Sequence, residues 1–348
     1  MSLFKVVKVK DVRKETDDTV SVAFNVDKNE FNYKSGQYIT IQKVIDGEDI
    51  RRSYSLCSAP FEDDFRIAVK KIEQGKMSTL LHHNIKVGEE LNIMLPAGNF
   101  TITDFSGKHV GFAAGSGITP LLSMIKSTLK EGGSFVLFYG NRTENATIFK
   151  KEIDQLLVNY PNQFKVTYIY SRENSVNEIQ KGRIDDKKVN ELIKQNLEIL
   201  KADGFYLCGP ENMINAVKDA LYYLGVPKEK VHFELFTTPV QTIENKPKIV
   251  SDFKGTSQVK VIMDGEEFEF ELAYDGDFIL DASIDHGADA PFSCKGAVCC
   301  TCKAKVLEGK AVMEMNYSLS DEEVAQGYIL TCQSHPASDK LVVDYDVT

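Results

Sequence analysis

The 348-residue chain lacks several features that would mark a membrane-spanning or secreted protein. It contains no run of about eighteen apolar residues, so no transmembrane helix is expected. Its first residues alternate like a strand and hold no apolar signal-peptide segment, which favours the cytoplasm. Seven cysteines are too few for a disulfide-stabilised scaffold, and reduced thiols suit a metal site better.

Basic residues are scarce in the C-terminal part of the chain. Residues 259–348 contain six lysines, no arginine and eighteen acidic residues, a net charge of −12. Because phosphates need cations around them, this segment is not expected to bind nucleic acid. An acidic surface suits docking onto a basic protein partner, where charge steers the encounter. A solvated face that promotes solubility is the alternative.

The residue pattern changes along the chain, and the length predicts two or three domains. Short alternating strands with one helical stretch over residues 1–104 predict an antiparallel β-barrel. Alternating strands and helices over residues 105–236 predict a parallel α/β domain. Residues 237–258 lack periodicity and predict a linker, and residues 259–348 predict a small mixed domain. No Ser-His-Asp or paired-carboxylate arrangement stands out.

Four cysteines near the C-terminus form the most informative motif. Cys294, Cys299 and Cys302 have the spacing C-x4-C-x2-C, and Cys332 follows thirty positions later, which is typical of a plant-type [2Fe–2S] cluster. Structural zinc is the alternative, although zinc ribbons usually pair two C-x2-C motifs. Cys300 is an additional thiol in this loop, interpreted as a passive neighbour, an oxidation-sensitive thiol or a substitute ligand.

Two motifs in the barrel segment resemble the flavin-binding signature of the ferredoxin–NADP reductase superfamily. They are Arg52-Ser-Tyr-Ser55 and Gly75-Lys-Met-Ser78. The resemblance implies FAD rather than FMN, because a diphosphate must be held by the second motif. An ordinary strand edge is the alternative for the first motif. The resemblance implies flavin contacts from Arg52, Tyr54, Ser55, Val69, Lys70, Gly75, Met77 and Ser78.

Two further motifs resemble the nicotinamide-binding signatures of the same superfamily. Gly115-Ser-Gly-Ile-Thr-Pro120 lies between a predicted strand and a predicted helix, the context in which a pyrophosphate binds. The second motif begins at Cys208, which would lie beside the nicotinamide C4; a buried strand residue is the alternative. The resemblance implies nucleotide contacts from Gly115, Gly117, Thr119, Pro120, Cys208, Gly209, Pro210 and Met213.

The resemblance also implies that the closing segment of the nicotinamide domain, residues 232–236, lies close to the flavin. This makes Glu234 a catalytic candidate, together with Tyr54, Ser55 and Cys208, and Phe236 a candidate stacking lid.

The nucleotide preference is predicted from Ser171 and Arg172, which end a predicted strand. A cation here would bind the 2′-phosphate of NADP, whereas an acidic residue would favour NAD. We therefore expect NADPH to be preferred over NADH. A surface cation is the alternative for Arg172, because Glu173 adjoins it.

Over the whole chain, the resemblance implies a multidomain reductase with a flavin barrel, a nicotinamide domain and a β-grasp ferredoxin. Such a protein passes electrons one at a time from NAD(P)H to an oxygenase. The segment 315–334 is similar to the reductase subunits of phenylacetyl-CoA epoxidases of phenylacetate degradation, which implies a di-iron oxygenase partner. A reductase for another oxygenase, desaturase or hybrid-cluster protein is one alternative. A binding module with vestigial cofactor sites is another.

Overall fold

The computed structural model describes residues 3–174, 177–237 and 252–347. These residues fall into two compact units, one formed by Phe4–Phe236 and the other mainly by the chain that follows Thr237. Most of the predicted linker, residues 238–251, lies outside the described residues, and the domain boundaries stay predictions. Within the described ranges, no helix is long and apolar enough to cross a membrane.

The first part of the larger unit is an antiparallel barrel. Its six strands pair in the order β4-β3-β6-β1-β2-β5, and an isolated bridge between Leu56 and Ile67 joins the two edges. Alternating apolar residues such as Val20 and Val22 fill its core, as their period of two predicts. The elements are β1 (Lys5–Thr16), β2 (Thr19–Asn25), β3 (Tyr38–Ile45), β4 (Glu48–Ser55), β5 (Phe65–Lys70), α1 (Lys76–His83) and β6 (Glu90–Ile93).

The second part of this unit is a five-stranded parallel sheet with helices between its strands. The strand order is β11-β10-β7-β8-β9. Strands β8 and β9 therefore lie on one side of the central strand β7, and β10 and β11 lie on the other. The strands are β7 (Lys108–Ala114), β8 (Ser134–Asn141), β9 (Phe164–Tyr170), β10 (Gly204–Cys208) and β11 (Val231–Glu234). The helices are α2 (Ile118–Lys130), α3 (Lys150–Asn159), α4 (Asp186–Gln195) and α5 (Glu211–Tyr223).

Two helices begin earlier than the sequence predicts. We expect one helix at Pro120, whereas α2 begins at Ile118 and places Pro120 in its first turn. The N–H groups of a first turn have no intrahelical acceptor, so proline is tolerated there. Likewise α1 begins at Lys76, one residue before the helical stretch that the sequence predicts over residues 77–85.

The smaller unit is a mixed sheet in the order β13-β12-β18-β14-β16, with the β-grasp character that the sequence predicts. The hairpin of β12 and β13 turns at Asp264-Gly265, and Ser320 forms a capping box with Glu323, features that the alternating pattern and the Ser-Asp-Glu-Glu sequence predict. The strands are β12 (Thr256–Met263), β13 (Glu266–Ala273), β14 (Lys303–Glu308), β15 (Ala311–Met313), β16 (Tyr328–Leu330), β17 (Ser334–Pro336) and β18 (Lys340–Asp344). The helices are α6 (Ile279–Asp285) and α7 (Asp321–Ala325).

Candidate redox sites

The carboxyl ends of three parallel strands bring distant motifs together in the larger unit. Cys208 ends β10 and lies beside Ala113 of β7 on one side and Glu234 of β11 on the other. The loops that follow adjacent parallel strands all leave from the carboxyl ends of those strands, and this is the edge where ligands of α/β sheets bind. The predicted Cys208 motif, the glycine loop and the closing segment therefore share one sheet edge.

The glycine loop between β7 and α2 is packed directly against the Cys208 motif. A Cβ atom on Gly117 would lie 2.0 Å from the carbonyl oxygen of Cys208, so only glycine fits without a shift. Thr119 donates a hydrogen bond from Oγ1 to the carbonyl of Ser116 at 3.0 Å, and the buried Tyr139 hydroxyl donates to the carbonyl of Gly115 at 3.0 Å. These contacts hold the loop at the start of α2, where backbone N–H groups can meet a phosphate.

A hydrogen bond joins the end of barrel strand β4 to the sheet edge. The Ser55 hydroxyl donates to Oε2 of Glu234 at 3.3 Å, across 179 positions of sequence. Burial raises the pKa of Glu234 from 4.5 to about 8, although the bond from Ser55 opposes this shift. Burial, and then the neighbouring Glu234, raise the pKa of the Cys208 thiol well above 9. Both shifts favour the uncharged form of the group.

The remaining residues of the Arg-x-Tyr-Ser motif lie on β4 just before Ser55. Tyr54 is half-buried, and burial raises the pKa of its hydroxyl far above the ordinary value. Arg52 is exposed and donates from Nη1 to the carbonyl of Arg51 at 2.7 Å. The aromatic ring and the cation thus stand on the strand that leads to Ser55, which fits a flavin ring and its phosphate.

The Gly-x-x-Ser motif forms the start of α1. The Ser78 hydroxyl donates to the carbonyl of Gly75 at 3.3 Å and accepts from the N–H of Ile72 at 3.3 Å. A Cβ atom on Gly75 would lie 2.4 Å from the side chains of both Ile72 and Ser78, so this turn requires glycine. Such a turn before a helix fits the diphosphate of FAD.

The other predicted flavin contacts lie on β5 or α1. Val69 and Met77 are buried in the barrel core, and only their backbones are available to a ligand. Lys70 ends β5 and pairs with Asp18 at 3.4 Å.

The predicted 2′-phosphate residues follow β9 directly. Ser171 and Arg172 are exposed, and the Arg172 N–H donates to the carbonyl of Arg142 at 2.9 Å. Arg142 follows the neighbouring strand β8 and is also exposed, so two arginines stand at adjacent strand ends. Our sequence reasoning missed Arg142, although its position directly after a strand could have revealed it. The nearby Lys181 pairs with Glu178 at 2.5 Å.

The rest of the second nicotinamide motif continues from β10 into α5. Gly209 packs against Met213, which is buried, and α5 begins directly after Pro210. Phe236 is 41% exposed and lies two residues beyond Glu234. An exposed aromatic ring at this place fits a role as a cover for a bound ring.

In the smaller unit, the four predicted cluster ligands come together as two pairs. The Cys299 thiol donates to Sγ of Cys294 at 3.2 Å and, with the N–H of Gly296, lowers the pKa of Cys294 to about 6. The neighbouring Cys332, and then burial, raise the pKa of Cys302. Two pairs of thiols fit the two irons of a [2Fe–2S] cluster, each of which takes two protein ligands.

The arrangement of the thiols as two pairs favours a two-iron cluster over a single zinc ion. Among the described residues, no group of three or more His, Cys, Asp or Glu side chains could hold one metal ion. The additional thiol of Cys300 points elsewhere, since its Sγ donates to the carbonyl of Ser318 at 3.4 Å. The arrangement favours the cluster over zinc and Cys300 as a passive neighbour.

The loop that carries three of the ligands has a backbone conformation that residues other than glycine rarely adopt. Lys295 and Ala297 have positive φ angles of 49° and 61°. The side-chain amide of Gln333, next to Cys332, donates to the carbonyl of Lys295 at 3.1 Å. Gln333 thus ties the distant fourth cysteine to the loop, a contact that spacing alone does not reveal.

Comparison with known families assigns a cofactor domain to each part of the chain. A model described as an oxidoreductase FAD-binding domain matches residues 5–102, and an oxidoreductase NAD-binding domain matches residues 112–219. A 2Fe-2S iron-sulfur cluster binding domain matches residues 261–337.

Individual relatives match the chain over nearly its whole length. It is 37% identical to one subunit of the 1,2-phenylacetyl-CoA epoxidase of Escherichia coli (strain K12), covering 99% of both chains. It is 33% identical to the ferredoxin reductase component of the 3-ketosteroid-9-alpha-monooxygenase of Rhodococcus rhodochrous, covering 98% of this chain and 96% of the relative. The solved structure of phthalate dioxygenase reductase shares the fold, with a TM-score of 0.59, 24% identity and 98% coverage of each chain.

The fold and these matches define a class, the flavin and iron–sulphur oxidoreductases that bind FAD, a nicotinamide nucleotide and a [2Fe–2S] cluster. Within that class, the chain belongs to the family of oxygenase reductase components that includes this epoxidase subunit of E. coli. The predicted superfamily, fold class and enzyme class are confirmed.

Proposed function

We propose that this chain is the reductase of a phenylacetyl-CoA epoxidase and takes electrons from NADPH for a di-iron oxygenase partner. The carrying observation is the 37% identity to a phenylacetyl-CoA epoxidase subunit across 99% of both chains. The cytoplasmic location stays a prediction.

The residues at the sheet edge support a site for hydride transfer. When bound, FAD and the cluster supply the chemistry that turns a two-electron donor into single electrons. We propose that Ser55, at the end of β4, lies near a flavin nitrogen; its hydroxyl donates to Oε2 of Glu234 and keeps its oxygen available as an acceptor. Burial raises the pKa of Glu234 to about 8, which favours its protonated form, so this carboxyl group is a candidate proton reservoir beside Ser55. Cys208 has no exposed surface, and burial raises the pKa of its thiol, so we propose that it lines the nicotinamide site as an uncharged group beneath the surface.

The loops around this edge support binding of a dinucleotide phosphate. Gly115 leaves space for a pyrophosphate at the start of α2, because a Cβ atom there would meet only Nζ of Lys70, at 3.9 Å. Gly117 brings the loop against the carbonyl of Cys208. Arg172 and Ser171, with Arg142 beside them, present exposed donors that suit a 2′-phosphate. This group of exposed donors supports NADPH rather than NADH.

The flavin side and the cluster side complete the proposed cofactor sites. We assign the flavin ring and phosphates to Tyr54, Arg52 and the turn at Gly75. We assign the two irons to the thiol pairs Cys294/Cys299 and Cys302/Cys332.

A reconstituted reaction tests the proposed partner. The purified chain is mixed with the oxygenase subunits of a phenylacetyl-CoA epoxidase, and NADPH oxidation that depends on phenylacetyl-CoA is measured together with the epoxide product. We expect coupled turnover with these subunits and none with the oxygenase component of a 3-ketosteroid-9-alpha-monooxygenase. Reduction of ferricyanide by NADPH serves as a control for an active reductase.

The competing function is that of a reductase for another oxygenase, which the 33% identity to a 3-ketosteroid-9-alpha-monooxygenase reductase supports. Coupled turnover with the ketosteroid enzyme, and none with the epoxidase subunits, would establish it. Purified protein without flavin or cluster absorbance would instead support a vestigial binding module.

A further inference from the structure

Helix α2 carries a polar seam that joins the nicotinamide domain to the flavin barrel. We define the α2 seam as Ser123, Lys126 and Ser127, which share one helical face because their spacing is three and four residues. None of the three belongs to a cofactor motif. All three side chains are largely withdrawn from solvent, so each needs a partner inside the protein.

Each residue of the α2 seam bonds to the barrel. Ser123 donates from Oγ to the carbonyl of Ser58 at 2.6 Å, and the hydroxyls of Ser127 and Ser35 lie 2.7 Å apart. Lys126 donates from Nζ to Oε2 of Glu62 at 2.9 Å. These bonds are made across 64 to 92 positions of sequence, so they define how the two parts of the unit meet.

Lys126 is the charged centre of the seam. Its side chain is 10% exposed and lies between Glu62 of the barrel and Glu152 of α3, at 2.9 and 2.5 Å. It also donates to the carbonyl of Cys57 at 3.4 Å. One buried ammonium group therefore bonds to both parts of the unit, and its removal leaves two carboxylates without their shared cation.

Both ends of the seam lead to the redox site. On the barrel side, Cys57 and Ser58 lie just after Ser55 along the chain, and the carbonyls of both accept bonds from the seam. On the nicotinamide side, α2 begins at the end of the Gly115–Gly117 loop. A shift of α2 against the barrel would therefore move the nucleotide loop relative to the hydroxyl of Ser55.

We infer that Lys126 is a positioning residue for hydride transfer, holding the nucleotide loop in register with the flavin side of the site through Glu62, Glu152 and Cys57. The inference rests on the reductase step of the proposed function and is independent of the oxygenase partner. A misplacement of about 1 Å between reacting groups can lower a rate by about 100-fold.

The test compares Lys126→Met with Lys126→Arg in the full-length holoprotein. Flavin reduction by NADPH is followed by stopped-flow absorbance, with NADPH deuterated at C4 to confirm that hydride transfer is the step observed. Lys126→Met should slow flavin reduction about 10- to 100-fold at saturating NADPH, because register is lost. Its Kd for NADP⁺ should stay close to that of the parent, and Lys126→Arg should restore most of the rate.

Lys188→Met is the matched control for a merely stabilising role. The side chain of Lys188 is 11% exposed, similar to that of Lys126. It pairs with Glu191 of α4 at 2.8 Å and donates to the carbonyl of Glu178, so both of these partners lie in the same domain. Lys188→Met should lower the Tm and leave the rate of flavin reduction unchanged. If Lys126→Met lowers only the Tm, or if Lys188→Met slows the reaction equally, the positioning role is wrong.

A milder variant covers the case in which Lys126→Met does not fold. Ser123→Ala removes one hydroxyl of the α2 seam, and it should slow flavin reduction in the same direction by a smaller factor. An unchanged rate in Ser123→Ala, together with a lost fold in Lys126→Met, would overturn the inference. Failure of the epoxidase reconstitution with normal flavin reduction would affect only the proposed partner.

Discussion

At the scale of single residues, the site is defined by polar groups that burial keeps uncharged. Glu234 and Cys208 lie on adjacent strand ends, and burial is the main cause of the raised pKa in both. The effect on each is the same, because burial penalises the charged form of an acid. A neutral pair of this kind leaves Ser55 as the hydrogen-bonding group between the barrel and the sheet edge.

Glu234→Gln should change how stability depends on pH. Because the folded pKa is about 8 and the usual value is 4.5, folding takes up a proton between these values, so stability falls as pH rises through this range. Glutamine cannot titrate, so the loss of unfolding free energy across this pH range should be smaller by about 1–3 kcal/mol in the variant. The side chain is partly exposed, and solvent screening lowers this value. Denaturant unfolding at several pH values between 5 and 8.5, roughly the titration range, measures it. Glu229→Gln, at an exposed site, is the control, and an unchanged slope in Glu234→Gln would contradict the prediction.

Arg172→Ala should separate the two nicotinamide nucleotides. Loss of a charge-assisted bond to a 2′-phosphate should lower kcat/KM for NADPH about 10- to 100-fold, while NADH, which has no such phosphate, stays nearly unchanged. Steady-state ferricyanide reduction with both donors measures the ratio. Arg13→Ala, at an exposed arginine of strand β1 in the barrel, is the control. Equal loss with both donors would remove the 2′-phosphate role.

At the scale of elements, local patterns predicted most strands and helices. The period of two in β2 and the strand–loop–helix order around α2 both appear where expected. What spacing could not decide was which thiols of the cluster loop face one another. The folded loop brings Cys299 to 3.2 Å from Cys294, and the same loop has positive φ angles at Lys295 and Ala297.

Cysteine substitutions in this loop should give opposite results at neighbouring positions. Cys299→Ser should abolish the [2Fe–2S] absorbance and the electron paramagnetic resonance signal of the reduced protein, because its thiol lies 3.2 Å from Cys294. Cys300→Ser should retain both, because its thiol bonds to the carbonyl of Ser318. Comparison with the double variant completes the series. Loss of the cluster in Cys300→Ser alone would show that Cys300 is the ligand.

At the scale of the whole molecule, charge is divided unevenly. Residues 259–348 carry −12 within a chain of −10, and the exposed strand β13 alternates glutamates with buried apolar residues. Such a surface can act as a solvated face that promotes solubility, or it can attract a basic partner. The two interpretations differ in how electron transfer responds to salt.

Raising the salt concentration should slow electron delivery to the oxygenase. Between about 0.05 and 0.5 M KCl the screening length shortens severalfold, so the second-order rate of oxygenase reduction should fall by about 10-fold or more. Flavin reduction by NADPH within the same samples is the internal control and should change little. A salt-independent rate of oxygenase reduction would favour the solvated face.

The cofactor set and the order of the three domains could be inferred from the amino-acid sequence, because each motif is short and its residues are neighbours along the chain. Contacts between distant segments could not, since they depend on how complete elements pack. The bond between Ser55 and Glu234 spans 179 positions, and the bond between Ser127 and Ser35 spans 92. Arg142 directly follows the predicted strand β8, but only the parallel pairing of β8 and β9 shows that it lies beside Arg172. Local spacing identifies the cofactors, whereas tertiary packing brings together the distant residues that contact one another at the proposed cofactor sites.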